Sequence, residues 1–266
     1  MTTTATTSSR HHSALRWAFS DVLTLAKRNL IALFRTPTLV GFAIIQPIMF
    51  VLLFRYVFGG AISIKGVTYV NYLVPGILVQ TVIFGSVNTA IGLAEDLQKG
   101  LIERFKALPM ARMAVLGGRT LADLSRSVVV LVIITGIGFL VGFRPDGGVV
   151  PYLEACLVML AFAYCLSWGF AFVGLAAPSA EAAQAMTFPL IFPLVFASVI
   201  FVQLRTLPWW LRGFANNQPI SQATYAVRGL MLGRPHGNSV WVSLAWSIGL
   251  IGFLAPLAVN RFRKAA

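Results

Sequence analysis

The 266-residue chain is 58% hydrophobic and only 11% charged. Soluble domains carry about 25% charged residues, so this composition excludes a soluble globular protein and indicates a polytopic membrane protein. The formal net charge is +13, but the basic residues lie at the ends of apolar runs, where anionic lipid headgroups favour them. No basic groove interleaved with aromatic residues is present, so nucleic acid is not an expected partner.

The first 35 residues divide into two parts. Residues 1–12 are polar and of low complexity, which is typical of a disordered tail. Residues 13–35 form an amphipathic stretch in which apolar residues keep helical spacing. These residues are Leu15, Phe19, Val22, Ala26, Leu30 and Leu33. The pattern predicts a helix that lies in the membrane interface, with an ordinary cytosolic helix as the alternative.

Six apolar segments follow, and each is long enough to cross a hydrocarbon core of about 30 Å. They cover residues 38–58, 70–93, 125–143, 152–176, 185–203 and 240–259. Prolines occur inside several of them, where each removes a backbone hydrogen bond and predicts a kink. The sequence therefore predicts an all-α membrane protein with six transmembrane helices.

Lysine and arginine are unevenly divided between the two sides of such a bundle. Fourteen belong to the N-terminal segment, the stretch after the second span and the C-terminus, and seven fall on the other side. The positive-inside rule therefore predicts a multi-pass protein of the inner (plasma) membrane with both termini in the cytoplasm. Arg205, Arg212, Arg228 and Arg234, all between the last two spans, weaken this bias.

The charged stretch from Glu95 to Asp123 interrupts the apolar sequence between the second and third spans. Four apolar residues within it recur at helical spacing on one face. They are Leu97, Leu101, Phe105 and Leu108. Pro109 is expected to end this helix. A charged amphipathic helix between two spans lies in the interface or docks onto a soluble partner; a solvated loop is the alternative.

The region between the fifth and sixth spans carries a second amphipathic pattern. Trp209 and Trp210 suit a membrane–water boundary. Four apolar residues then follow at near-helical spacing, namely Ile220, Ala223, Val227 and Met231. We expect two short helices against the outer leaflet, and a plain amphipathic loop packed on the bundle is the alternative.

Several kinds of chemistry have no motif in this chain. There is no G-x-x-x-x-G-K-[ST], so the protein is not expected to hydrolyse ATP itself. No group of His, Cys, Asp or Glu has metal-ligand spacing, and no metal is expected. None of the eight carboxylates is expected near the bilayer midplane, which argues against an ion-coupled transporter. Gln46, Gln80 and Asn88 lie within spans, where they bond neighbouring helices or line a pathway.

The central stretch resembles the cytoplasmic loop of type-2 ABC transporter permeases, in particular the daunorubicin and multidrug-export branch. The resemblance rests on Glu95-Asp96, Gly100, Glu103-Arg104, Leu108-Pro109, Arg112, Leu116, Gly118-Arg119 and Ala122-Asp123. The outer region is also similar to that branch, through Trp210, Phe214, Asn217–Ser221 and Arg228-Gly229. The match departs at Asp96–Lys99, where many relatives are more acidic, and after Gly100, where many have Thr.

The resemblance implies a permease domain over residues 13–266, with a cytoplasmic coupling helix and external re-entrant helices before the last span. It implies a transport subunit of an ATP-driven exporter that moves a hydrophobic drug, antibiotic or lipid-like molecule out of the cell. The expected partners are an ABC ATP-binding subunit, which would hold ATP and Mg²⁺, a second permease copy or related permease, and the bilayer. The expected partner contacts are Glu95, Asp96, Leu97, Leu101, Glu103, Arg104, Phe105 and Leu108.

Alternatives remain open at this point. Glycolipid or polysaccharide export by the same family fits the same residues. A stand-alone secondary transporter and a membrane-embedded enzyme acting on lipids are further candidates, although no catalytic cluster is visible. Arg119 and Asp123 have the (i,i+4) spacing of an ion pair at the start of the third span, which would be a structural role.

Overall fold

The computed structural model describes residues 37–59, 64, 66–100 and 112–264. Within them the chain forms eight α-helices and no strand. The helices are α1 (Pro37–Leu53), α2 (Tyr69–Gln98), α3 (Arg112–Leu140), α4 (Val149–Ala176), α5 (Ala180–Phe196), α6 (Trp209–Asn217), α7 (Pro219–Leu232) and α8 (Ser239–Lys264). One π-helical turn, Phe54–Phe58, extends α1, and a 3₁₀ turn, Leu204–Thr206, precedes α6.

Local chemistry explains several helix ends. The Ser179 hydroxyl accepts a hydrogen bond from the backbone N–H of Ala182 at 3.0 Å and so caps the start of α5. Pro219 occupies the first turn of α7, where its missing N–H costs nothing. Gly100 follows α2 with φ +65°, a left-handed conformation that ends helices and that glycine adopts without a Cβ clash.

The central helix of the bundle is α2, which contacts α1, α3, α4, α5 and α7. Its buried residues form the main hydrophobic core together with those of α4 and α7. A second cluster joins α2, α3, α4 and α8 through Leu93, Leu116, Trp168 and Phe262. We call this side of the bundle, where α2 ends and α3 begins, the α2–α3 end. The opposite side, where α2 begins and α7 ends, is the α7 end.

Four helices are long and apolar enough to cross a membrane, namely α2, most of α3, α4 and most of α8. Two further apolar helices, Ile45–Val57 and Ala180–Phe196, are shorter. The prediction of an all-helical membrane protein is thus confirmed, and four of the six predicted spans meet a full-length criterion. The predicted N-terminal tail and interfacial helix lie outside the described residues.

Two helices differ in extent from the predicted spans, whose boundaries in the membrane stay predictions. The third span was expected to begin at residue 125, but α3 begins at Arg112, because its charged residues are paired within the bundle and so remain in the helix. The fifth was expected to continue to residue 203, but α5 ends at Phe196. The following residues stay buried without being helical, since hydrogen bonds from distant side chains satisfy their carbonyl groups.

The two short helices expected between the last two long apolar segments are present as α6 and α7. The first exposes its tryptophans, since Trp209 is 83% and Trp210 66% accessible. The second is built into the core, because Ile220, Ala223, Val227 and Met231 are all buried. The near-helical spacing of these four residues therefore marks a packed face.

Candidate functional site

A cavity of about 70 Å³ lies inside the bundle between α1, α2 and α3. Three amide side chains line it, Gln46 from α1 and Gln80 and Asn88 from α2. The guanidinium-bearing Arg126 of α3 closes one side, and aromatic rings close another. Gln80 is 3% exposed and its Oε1 atom has no hydrogen-bond partner among the described residues. A buried carbonyl oxygen without a donor is a candidate acceptor for a ligand group.

A hydrogen-bonded chain of charged and polar groups borders this cavity. The Asp123 carboxylate accepts a hydrogen bond from the Thr89 hydroxyl at 2.5 Å and lies 3.4 Å from the Arg126 guanidinium. Arg126 also donates to the backbone carbonyl of Gly85. Asp123 and Arg126 are each 8% exposed. Buried charges are tolerated only when they are paired and hydrogen-bonded, which both groups achieve here.

A second ion pair ties the same two helices closer to the α2–α3 end. Arg119 of α3 donates to the Asp96 carboxylate of α2 at 2.8 Å and also reaches the carbonyl of Asn88 at 3.5 Å. The guanidinium lies against Gly92, where any added Cβ would collide with it. The helices α2 and α3 are therefore joined by successive polar contacts between the cavity and the α2–α3 end.

Aromatic rings continue from the cavity to the surface of the bundle. Phe50 and Phe84, which line the cavity, belong to a network of seven phenylalanines with neighbouring ring centroids 4.7–6.3 Å apart. The other members are Phe54, Phe188, Phe192, Phe196 and Phe201. We call this network the phenylalanine track. Phe192 and Phe196 leave 44% and 47% of their surface exposed beside α1, so the track ends on an open face.

A different polar arrangement holds the α7 end. Arg228 of α7 donates to the backbone carbonyls of Tyr72, Val199 and Ile200 at 3.0–3.1 Å, and its guanidinium lies 3.6 Å from the centre of the Tyr72 ring. Burial lowers the pKa of Arg228, because removal from water disfavours the charged form. Gly76 allows this approach, since a Cβ there would lie 2.5 Å from the Ile200 oxygen. Arg228 thus anchors the non-helical segment after α5 onto α2.

The amides predicted as pathway residues, Gln46, Gln80 and Asn88, are brought together at one cavity. The predicted partner-contact residues are split. Glu95, Asp96 and Leu97 form the last turn of α2, and the glycine turn follows them. The other five, Leu101, Glu103, Arg104, Phe105 and Leu108, lie outside the described residues.

A single helix from Glu95 to Leu108 is therefore the wrong description of the chain, because α2 includes its first residues and ends at Gln98. The three described positions differ in their contacts. Asp96 is held by Arg119, Leu97 packs on the second hydrophobic cluster, and Glu95 pairs with Lys99 at 3.1 Å on the surface. Glu95 is the most exposed carboxylate of this turn.

The suggested ion pair between Arg119 and Asp123 is also wrong. Antiparallel packing of α2 against α3 supplies Arg119 with Asp96 across the helix interface, and Asp123 turns to Arg126. Sequence reasoning missed Arg126 as a cavity residue, because it was counted among the loop cations that orient the chain. The available signal was its (i,i+3) spacing from Asp123, which places both residues on one face of a helix.

Comparison with known proteins identifies the family. The family model for the ABC-2 type transporter matches residues 20–232. The chain is 35% identical over 247 residues to the daunorubicin resistance ABC transporter permease protein DrrB1 of Streptomyces coeruleorubidus, covering 93% of this chain and 87% of the relative.

More distant relatives extend the same family. The probable doxorubicin resistance ABC transporter permease protein DrrC of Mycobacterium tuberculosis is 30% identical over 237 residues, with 86% of this chain and 83% of that one aligned. The putative transport permease ycf38 of Cyanophora paradoxa is 26% identical over 230 residues, or 84% and 76% of the two chains. The chain therefore belongs to the ABC-2 type transporter family and is an integral membrane permease similar to those of drug-resistance transporters.

Proposed function

We propose that the chain is the membrane subunit of an ATP-driven exporter that moves a hydrophobic drug, antibiotic or lipid-like molecule out of the cell. The observation that carries the proposal is the polar cavity of Gln46, Gln80, Asn88 and Arg126, continuous with the phenylalanine track. Flat apolar rings stack favourably on such aromatic faces. A hydrogen-bond donor on the same molecule would find the free Oε1 atom of Gln80.

The cavity is smaller than a whole drug-sized substrate requires. Drug-sized ligands occupy sites of about 300–1,000 Å³, whereas this cavity holds about 70 Å³. It accommodates one functional group of a substrate and not the whole molecule. The remainder of the substrate would lie along the exposed part of the track on α5, beside α1. This face would be covered by a second copy of the chain or a related permease, so that the pathway runs between two subunits.

Membership of the family supports the proposed partner assembly. An ABC ATP-binding subunit holding ATP and Mg²⁺ would dock at the α2–α3 end, on Glu95, Asp96, Leu97, Leu101, Glu103, Arg104, Phe105 and Leu108. This end and both termini would lie in the cytoplasm of a six-span protein of the inner membrane. The external helices α6 and α7 would cap the pathway on the other side.

The polar contacts between α2 and α3 offer a route for the mechanical step. Movement of the 101–111 segment by the ATP-binding subunit would displace the ends of both helices. The Asp96–Arg119 pair would keep them moving together at that end. Asp123 and Arg126 would carry the displacement to the cavity wall, because Arg126 both pairs with Asp123 and lines the cavity.

Purification of the tagged chain from native membranes tests the assembly. We expect a P-loop ATPase to co-purify, and we expect the double charge reversal Glu103→Lys with Arg104→Glu to weaken the complex. The matched control reverses two exposed charges at the α7 end, Arg144→Glu with Asp146→Lys. A chain that purifies alone and transports down an ion gradient in liposomes would be a secondary transporter instead.

Efflux measurements test the cavity. Gln80→Leu removes the free acceptor at nearly constant volume, and we expect it to reduce efflux of an aromatic drug while ATPase binding is retained. Gln184→Leu is the control, since Gln184 is an exposed amide on α5 away from the cavity. Equal efflux by the wild type and Gln80→Leu would remove the cavity from the pathway.

A further inference from the structure

A second cavity, of about 340 Å³, opens at the α7 end of the bundle. Three arginines line it, Arg205 before α6, Arg228 on α7 and Arg234 just after α7. Three apolar side chains, Ile64, Val67 and Leu232, line it as well, and Tyr72 and Gln203 complete its wall. The cavity is thus cationic on one side and hydrophobic on the other, and it is almost five times larger than the cavity between α1, α2 and α3.

No carboxylate of the part of the chain that the structure describes forms an ion pair with these arginines, although the backbone oxygen of Asp146 lies near Gly233 at the same end. Among the described residues, every ion pair within 4.0 Å belongs to the α2–α3 end or to the pair beside the inner cavity. The sequence explains this, because no Asp or Glu occurs between residues 22 and 94 or after residue 181. All the segments that line the cavity come from those two acid-free stretches. Neighbouring residues outside the described ranges, 60–63 and 65, also include no acid.

The hydrogen bonds of the three arginines leave their positive charge in place. Arg228 is 8% exposed and bonds only backbone carbonyls, together with its contact to the Tyr72 ring. Arg234 donates to the carbonyl of Gly66. The Arg205 guanidinium has no hydrogen-bond or ion-pair partner among the described residues. Backbone carbonyls carry only partial charges, so the three arginines that line this cavity keep their formal positive charges.

We propose that this cavity binds the phosphate of an anionic membrane phospholipid. Guanidinium groups match phosphate oxygens in geometry and charge, and they bind phosphate through paired N–H donors. The apolar wall suits the glycerol backbone and the first methylene groups of the acyl chains. The volume is that of a headgroup, with the chains remaining in the bilayer. Bound lipid would bridge α7, the segment after α5 and the start of α2.

This inference does not depend on what the protein transports. If the α2–α3 end lies in the cytoplasm, as proposed above, the bound lipid belongs to the outer leaflet. The phosphate itself has two possible sources, a lipid headgroup or a free anion, and the apolar wall favours the headgroup. The lipid should therefore outcompete inorganic phosphate, because the free anion gains nothing from the apolar wall.

The test uses the purified full-length chain in detergent, with short-chain phosphatidylglycerol, short-chain phosphatidylcholine and inorganic phosphate as separate ligands. Affinity is measured by the shift in thermal unfolding temperature during titration, because a ligand of the folded state stabilises it by mass action. We expect phosphatidylglycerol to bind best and its affinity to fall as salt is raised.

Two arginine variants make the assignment specific. Arg205→Gln with Arg234→Gln leaves the buried Arg228 anchor intact and should weaken phosphatidylglycerol binding roughly tenfold or more. The control, Arg261→Gln with Arg263→Gln, removes two charges near the end of α8, outside the cavity, and should bind as the wild type does. Equal affinity of the cavity variant and the control would overturn the site. Inorganic phosphate binding as tightly as phosphatidylglycerol would overturn the assignment to a lipid headgroup.

Discussion

The two ends of this bundle use arginine in different ways. Towards the α2–α3 end, each buried or half-buried arginine has a carboxylate partner, Asp96 for Arg119 and Asp123 for Arg126. At the α7 end, the buried Arg228 is held by backbone carbonyls. Paired side chains can separate and re-form as helices slide, whereas a guanidinium bound to several carbonyls fixes the backbone. We therefore expect the helices to shift against each other more readily at the α2–α3 end than at the α7 end.

Replacement of Arg228 should have the largest effect on stability. Arg228→Met removes the donor to the buried carbonyl of Ile200 and leaves Val199 with the Tyr72 hydroxyl alone. An unsatisfied buried group costs roughly 1–3 kcal/mol. The contact with the Tyr72 ring is lost as well. We expect a loss of roughly 3 kcal/mol or more in thermal unfolding followed by tryptophan fluorescence.

Arg228→Lys tests whether charge or geometry matters at this position. A lysine keeps the charge, but its single ammonium group cannot match the fork that reaches two segments at once. Arg228→Lys should therefore recover only a small part of the stability that Arg228→Met loses. Stability of Arg228→Met close to that of the wild type would remove the anchoring role and, with it, the contrast between the two ends.

The Asp123–Arg126 pair should show the next largest effect. Asp123→Leu leaves a buried arginine without its carboxylate, and we expect a loss of about 2–3 kcal/mol, near the lower limit for broken buried pairs. Arg126→Leu should cost a similar amount. The double variant should cost clearly less than the sum, with a coupling of about 1 kcal/mol or more. Additive losses would mean that the two charges act independently.

The Asp96–Arg119 pair should contribute less, because its side chains retain 20% and 19% exposure. We expect Arg119→Ala to cost about 0.5–1 kcal/mol. Gly92→Ala should have a similar effect, since its Cβ would displace the same guanidinium. In the Arg119→Ala background the glycine substitution should be neutral or slightly stabilising, because alanine favours the helix. If Gly92→Ala still lowered the unfolding free energy by its full amount in the Arg119→Ala background, its Cβ would clash with a group other than the Arg119 guanidinium.

The surface pair of Lys99 and Glu95 should be nearly neutral. Their side chains are 64% and 45% exposed, and such pairs contribute about 0–1 kcal/mol. We expect Lys99→Ala to change the unfolding free energy by less than about 0.5 kcal/mol. A larger loss in the isolated chain would show that the end of α2 is held by this pair. Such a loss would contradict the expectation that the more buried ion pairs contribute more to stability.

The sequence predicted helices well where hydrophobicity and helicity coincide. The fourth apolar segment was predicted as 152–176, and α4 is Val149–Ala176. The two properties separate around α5, where Val199 and Ile200 are fully buried but not helical. Their carbonyls are satisfied by Arg228, which lies 29 and 28 residues further along the chain. A local apolar window contains no information about such a distant donor.

The candidate site was also predicted only where local sequence was informative. Polar residues inside apolar segments are few, and Gln46, Gln80 and Asn88 were selected on that basis and share one cavity. Asp123 escaped the same selection because it lies just outside the predicted third span, which begins at residue 125. Arg126, at the edge of that span, was counted among the cations that orient the chain. Their mutual pairing, which makes them compatible with burial, depends on packing between helices and is visible only in three dimensions.

The anchor at Arg228 also bears on the order in which the protein is made. The donor and the Tyr72 carbonyl are separated by 156 residues, which take roughly 8–30 s to synthesise at about 5–20 residues per second. During that interval the start of α2 has no partner for this contact. The α7 end of the bundle therefore closes late in biogenesis, after the four intervening helices, α3 to α6, have been synthesised. Truncated chains that stop before residue 228 should be preferred substrates for membrane proteases.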